Sequence, residues 1–220
     1  MQELRSTIGP DGKEYISVTS AMSLVKELLR EPPDYYGAPA LMNIHAAEGT
    51  ACHAVCLDWL AATHGWLPRH TTPPWPEDHG DERRWKNVLH AALLGFQQFV
   101  ELYDVMPLGI ELESFSAAYG FVGHVDLYAM MNRKGRRVKA VIDLKFVAAL
   151  QESHRLQLRC YGKLDRCKDA SIGILYQGNR NTGVWRVEEV NLTEKLEDVA
   201  AVSNASRLFQ WAENKQRFAT

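Results

Sequence analysis

The sequence predicts an α/β sandwich: a mixed central β-sheet flanked by helices, with a mainly helical N-terminal portion. Three observations predict it. Apolar residues recur at threes and fours through three long stretches before Pro107, after Pro107 the period shortens to that of strands, and one helical stretch then interrupts the run of strands.

The helices come first, near Val18 to Leu29, Asn43 to Thr63 and Asp81 to Tyr103. They are separated by EPPDYYGAP and TTPPWPEDHG, whose prolines cannot sit inside a helix, so both read as surface connections. Strands are expected over Gly109 to Ala117, Phe121 to Met131 and Val138 to Phe146. The turn NRKGRR joins the last two as a hairpin. A helix near Glu152 to Asp165 follows, then strands at Ser171 to Gln177 and Gly183 to Val190, and a final helix opening at Thr193, whose hydroxyl suits a cap. No internal repeat or low-complexity tract breaks the series. The chain therefore reads as one domain, with 1–106 mainly helical, 107–192 carrying the sheet and its following helix, and 193–220 forming the C-terminal helix.

Length and composition agree. A chain of 220 residues buries one sizeable core, and 46% hydrophobic with 24% charged residues is an ordinary globular balance. A net charge of -2 excludes a uniformly basic surface, so any contact with a polyanion must come from local patches. Basic residues gather at Arg133, Lys134, Arg136, Arg137 and Lys139 and at Arg155, Arg159, Lys163, Arg166 and Lys168; solvated turn and helix faces explain them as well as phosphate contacts do. The N-terminus lacks the apolar core of a signal peptide and no stretch is apolar enough to span a membrane, so a cytoplasmic protein without a membrane partner is expected. The four cysteines, Cys52, Cys56, Cys160 and Cys167, form no CxxC pair and read as buried free thiols; a four-thiolate iron–sulfur site is the weaker alternative.

Chemistry concentrates in two strands. Asp126 lies in FVGHVDLYAM, where Val122, Val125, Leu127 and Tyr128 mark a buried strand. In VKAVIDLKF the period of two points Asp143 and Lys145 to one face and Leu144 away. Buried charges persist only when paired or bound to a cation. A lone Asp–x–Lys is more often a core salt bridge than a catalytic pair. It stands here in a longer ordered series: Gly49-x-x-x-His53 in the long helix, Glu111 and Glu113 in the first strand, Gly123-x-x-Asp126, Asp143-x-Lys145, then Gln157-x-x-x-Tyr161 in the next helix.

With that series, from about Gly49 to Tyr161, the sequence resembles the PD-(D/E)XK nuclease superfamily, in particular its RecB-like exonuclease branch. The resemblance implies a restriction-endonuclease-like core in a single nuclease domain. It further implies Asp126 and Asp143 as ligands of Mg²⁺ or Mn²⁺, joined by His53 and the backbone carbonyl of Leu144. Glu113 is preferred over Glu111 for holding a water of the metal, and Lys145 would activate the attacking water and offset charge on the scissile phosphate. Gln157 and Tyr161, one helical turn apart, would support the site or the bound strand. The C-terminal cysteines of the iron–sulfur members are missing after Cys167, so no cluster is expected. Tyr35, Tyr36, Trp66 and Trp75 are aromatic candidates for stacking on bases, though such residues more often anchor loops.

The implied activity is metal-dependent hydrolysis of DNA, exonucleolytic rather than endonucleolytic, leaving 5′-phosphates, in recombination, repair or phage DNA processing. The implied partners are single- or double-stranded DNA ends and, by analogy, a single-strand annealing or recombination protein; an oligomer is compatible with it. The rival is a catalytically idle DNA-binding or assembly module on the same fold. A further rival, an unrelated protein with a core salt bridge, predicts that His53, Asp126 and Asp143 are scattered.

Overall fold

Two short strands, β1 (Ser6–Ile8) and β2 (Glu14–Ser17), open the chain ahead of the first helix. The periodicity misses them because three and four residues are too few to show alternation. The computed structural model describes residues 6–29, 31, 39–67, 82–204 and 207. Tyr35, Tyr36, Trp75, residues 32–38 of the first proline-rich connection and all of the second lie outside them; Trp66 lies inside and is exposed.

The helices are α1 (Val18–Leu29), α2 (Pro39–Thr63) and α3 (Glu82–Leu102), followed by β3 (Met106–Ser116), β4 (Phe121–Arg133), β5 (Arg136–Lys145), α4 (Glu152–Tyr161), β6 (Ile172–Gly178) and β7 (Trp185–Val190). The second helix starts at Pro39 rather than near Asn43, since a proline's missing N–H costs nothing in a first turn. The fourth ends at Tyr161 rather than Asp165, because Lys163 and Leu164 donate to Cys160 and Tyr161 in tighter turns. Among the described residues, 196–204 and 207 are helical; the Thr193 hydroxyl donates to Asn191 instead of capping a helix.

All seven strands form one mixed sheet in the order β1-β2-β4-β5-β6-β7, with β3 paired to β4. The hairpin between β4 and β5 turns on Lys134 and Gly135, both at positive φ, so Arg133 pairs with Arg136 as a two-residue loop requires. Strand β5 runs parallel to β6, so the chain must cross over between them, and α4 makes the crossing.

The sheet has a core on each face. One gathers Val18, Ala21 and Met22 of α1, Leu156, Leu158 and Tyr161 of α4, and Val141 of β5. The other gathers Cys52, Cys56, Leu57 and Leu60 of α2, Val88, Phe96 and Phe99 of α3, and Ala140, Ile142 and Leu144 of β5. Strand β5 thus alternates between the two as a strand buried on both faces must. All four cysteines are buried and free. Among the described residues, no helix is long and apolar enough to cross a membrane.

Candidate active site

The pairing of β4 with β5 ends at Leu127 and Ile142. Beyond that point Asp126 supplies what the ladder no longer does: its Oδ2 accepts the backbone N–H of Leu144 at 2.7 Å. A carboxylate in a mostly apolar strand is thereby tied to the backbone between Asp143 and Lys145.

Alternation breaks at the same level on two strands. Val125 belongs to the core beneath α4 and Leu127 to the core beneath α2 and α3, although they are two residues apart. On β3, Leu112 and Ile110 divide the same way and pair with Val125 and Leu127. Between them stands Glu111 at φ 47°, a left-handed conformation that costs a non-glycine residue about 1–3 kcal/mol. This kink sends Glu111 toward α2. His53 meets it there, with Nδ1 3.6 Å from Glu111 Oε1 and Nε2 3.1 Å from Asp126 Oδ2.

On the other side of Asp126, Lys145 Nζ donates to Asp143 Oδ1 at 3.2 Å and lies 2.9 Å from Oδ2 without hydrogen-bond geometry to it. The same ammonium donates to Gln157 Oε1 at 3.1 Å, and Gln157 Nε2 donates to the Tyr161 hydroxyl at 2.8 Å. Tyr161, Gln157, Lys145 and Asp143 therefore form a chain from the buried face of α4 to the end of β5.

Opposing charges set the protonation states. Burial works against a charged imidazole at His53, but Asp126, Glu111 and Asp143 outweigh it and raise its pKa to about 9. Burial also works against ionised Asp126, yet His53, Lys145 and the Leu144 N–H hold its pKa below the ordinary value. Asp143 moves the other way: burial and the nearby Asp126 charge raise it to about 6 despite Lys145. Three acids thus converge on one lysine and one histidine, an arrangement that an added cation would relieve.

The donors fit a hard divalent cation. Ligand atoms of His53, Glu111 and Asp126 all lie within 4.8 Å of one another, and Asp143 Oδ2, buried, has no hydrogen-bond partner among the described residues. Carboxylate oxygens with one imidazole suit Mg²⁺ or Mn²⁺ better than a soft metal.

The structure thus brings together His53, Asp126, Asp143, Lys145, Gln157 and Tyr161, with the backbone of Leu144 present through its N–H. Glu113 is not among them. It is 48% exposed and pairs with His124 at 3.2 Å, and of the two β3 glutamates it is Glu111 that stands beside His53 and Asp126. Period two had placed both glutamates on one side, and the positive φ at Glu111 breaks that period. Sequence reasoning also missed His154. This imidazole is buried, accepts the Gln151 N–H on Nδ1 at 3.1 Å, and lies close enough to Asp143 to favour its ionised form. Its spacing of three from Gln157 was the available signal.

No family model matches the chain, and no curated protein matches it. Among solved structures it is similar to an alkaline exonuclease, LHK-Exo, from Laribacter hongkongensis, with 10% identity over 77% of this chain and 91% of that one and a TM-score of 0.42. The structure of LHK-Exo in complex with dAMP gives 9% identity over 77% and 93%, with a TM-score of 0.40. SSO0001 gives 20% identity over 57% and 58%, with a TM-score of 0.34.

Proposed function

We infer that this chain is a divalent-metal-dependent deoxyribonuclease that acts as an exonuclease on DNA ends and leaves 5′-phosphates. The observation that carries the reading is convergence. His53, Glu111 and Asp126 meet within 4.8 Å, beside the Asp143–Lys145 pair, although they come from a helix and different strands. A core salt bridge needs only Asp143 and Lys145; it gives no reason for a strained glutamate, a third acid and a histidine to gather around it.

In this reading His53, Glu111, Asp126 and Asp143 hold Mg²⁺ or Mn²⁺, with the Leu144 carbonyl as a further oxygen donor. When bound, such an ion polarises a phosphoryl oxygen and lowers the pKa of a water. Lys145, held between Asp143 and Gln157, orients the attacking water and offsets negative charge growing on the scissile phosphate. The water oxygen bonds to phosphorus as the bond to the 3′-oxygen breaks, giving a 5′-phosphate and a 3′-hydroxyl. Gln157 acts through Lys145: it fixes the ammonium on one side and is itself fixed by Tyr161.

End-labelled linear DNA and closed circular DNA, single- and double-stranded, incubated with Mg²⁺, Mn²⁺ or EDTA, test the reading. Metal-dependent loss of linear DNA with circles spared, abolished in Asp143→Ala and Lys145→Ala, is expected. A folded wild type that cuts nothing under either metal would retire the enzyme in favour of an idle DNA-binding module.

A further inference from the structure

A second polar region lies away from the metal-ligand cluster and has no part in the mechanism above. Arg180, in the connection between β6 and β7, donates from Nε to Glu48 at 2.8 Å and from Nη1 to the Phe146 carbonyl at 3.0 Å. Glu48, on α2, is 2% exposed and also receives Arg84 of α3 at 3.0 Å. One buried carboxylate therefore draws two guanidiniums from different elements to the same place.

Around them lie two clefts that share Asn181. The larger, about 500 Å³, is lined by Arg180 and Arg186, by Trp185 and by Phe146, Val147 and Ala148. The smaller, about 420 Å³, is lined by Arg83, Arg84 and Asn87. Among the described residues, four arginines and no acid line the pair, in a protein whose net charge is -2; Glu48 lies behind them. The walls are held in register by backbone contact. A Cβ on Gly95 of α3 would stand 2.3 Å from the Gly183 carbonyl oxygen, and Gly183 takes φ 72°, so only glycines let the β6–β7 connection seat this closely on α3.

We propose that this arginine-lined double cleft binds the phosphodiester backbone of the DNA strand beside the scissile position. The argument rests on chemistry and on place. Guanidiniums pair with phosphate oxygens in a planar, two-pronged geometry, and the Asn179 and Asn181 amides lining the larger cleft suit the same acceptors. Trp185 adds an aromatic surface of the kind on which bases stack. One wall includes Phe146, the residue after Lys145, so the cleft stands next to the end of the strand that carries Asp143 and Lys145. An acidic peptide would satisfy the charge but has no use for a cleft that opens at the end of the Asp143–Lys145 strand.

This inference deepens the nuclease reading and is tested apart from it. Binding of a fluorescein-labelled 20-nucleotide single strand and of its duplex is measured by anisotropy in EDTA, where cleavage plays no part, between 50 and 200 mM KCl. Three proteins are compared: wild type, a triple variant Arg83→Gln, Arg84→Gln, Arg186→Gln, and a control Lys134→Gln, Arg136→Gln at the distant hairpin turn. A double variant Arg83→Gln, Arg186→Gln leaves both arginine pairs of Glu48 intact and guards against misfolding. The triple variant should bind at least tenfold more weakly at 100 mM salt, with the slope of log K against log salt reduced by about 2–3. The double should fall part way, and the control should match wild type. Unchanged affinity and slope in the triple variant, an equal loss in the control, or equally arginine-dependent binding of a polyglutamate probe would overturn the proposal. A wild type that binds through these arginines but does not cleave with Mn²⁺ would retire the nuclease and leave the cleft standing.

Discussion

Asp126 accepts the backbone N–H of Leu144 at 2.7 Å, a bond that stands in for the strand pairing lost beyond Leu127 and Ile142. The same carboxylate oxygen lies 3.1 Å from His53 Nε2, so one atom links the backbone of the Asp–x–Lys segment to the helix that carries the histidine. Asp126 is thus both a structural acceptor and a candidate ligand, and the two roles separate by substitution. Asp126→Asn keeps an acceptor for Leu144 but loses the charge; Asp126→Ala loses both. Both variants should lack metal-dependent cleavage, while Asp126→Ala should be less stable than Asp126→Asn by about 1–3 kcal/mol, read from urea denaturation.

The two glutamates of β3 should differ sharply. Glu111→Gln, beside His53 and Asp126, is expected to reduce cleavage at least a hundredfold, whereas Glu113→Gln, exposed beside His124, should stay within threefold of wild type. Comparable losses in both variants would return the catalytic role to the period-two reading of the strand. Because φ at Glu111 is 47°, Glu111→Gly should be at least as stable as Glu111→Ala in thermal unfolding, the reverse of the usual order in a strand.

Glu48 makes stability depend on acid. Burial works against its ionised form, but His45, Arg180 and Arg84 hold its pKa below the ordinary glutamate value of 4.5. The unfolded carboxyl therefore takes up its proton at higher pH than the folded one. The stabilisation is fully present above the unfolded value and is lost as pH falls through the folded value. Glu48→Gln should cost on the order of 1–3 kcal/mol at pH 7, and the gap to wild type should narrow steadily below about pH 4.5 in denaturant titrations. A gap that stays constant down to pH 3 would show that the charge contributes nothing.

Gly95→Ala places a methyl group 2.3 Å from a backbone carbonyl oxygen, not a flexible side chain, so the β6–β7 connection must shift. The expected cost is about 1–3 kcal/mol in thermal or chemical unfolding, with far-ultraviolet circular dichroism unchanged.

Much of this was legible in the sequence. First, α1 appears where the threes and fours place it, and the β4–β5 hairpin turns on the Lys-Gly pair inside NRKGRR. Asp143 and Lys145 share a face because β5 keeps regular alternation to its end. What was illegible has three causes: departure from regular periods, elements too short to show one, and pairing between residues distant in sequence. Glu111 and Asp126 sit where two neighbouring strands change face together, and a rule that assumes period two places Glu111 and Glu113 on one side and cannot tell them apart. Strands β1 and β2 are too short to carry any period. The Glu48–Arg180 pair joins residues far apart in sequence, which no local pattern can announce.

The central claim is that His53, Glu111, Asp126 and Asp143 form one cation site. Equilibrium binding of Mn²⁺, followed by the loss of the free-ion signal in electron paramagnetic resonance, tests it without requiring turnover. Wild type and Lys145→Ala should both bind Mn²⁺, with the ion competed off by Mg²⁺, and Glu111→Gln and Asp126→Asn should each weaken binding at least tenfold. Wild-type protein that binds no Mn²⁺, or that binds it equally well in Glu111→Gln and Asp126→Asn, would contradict the account.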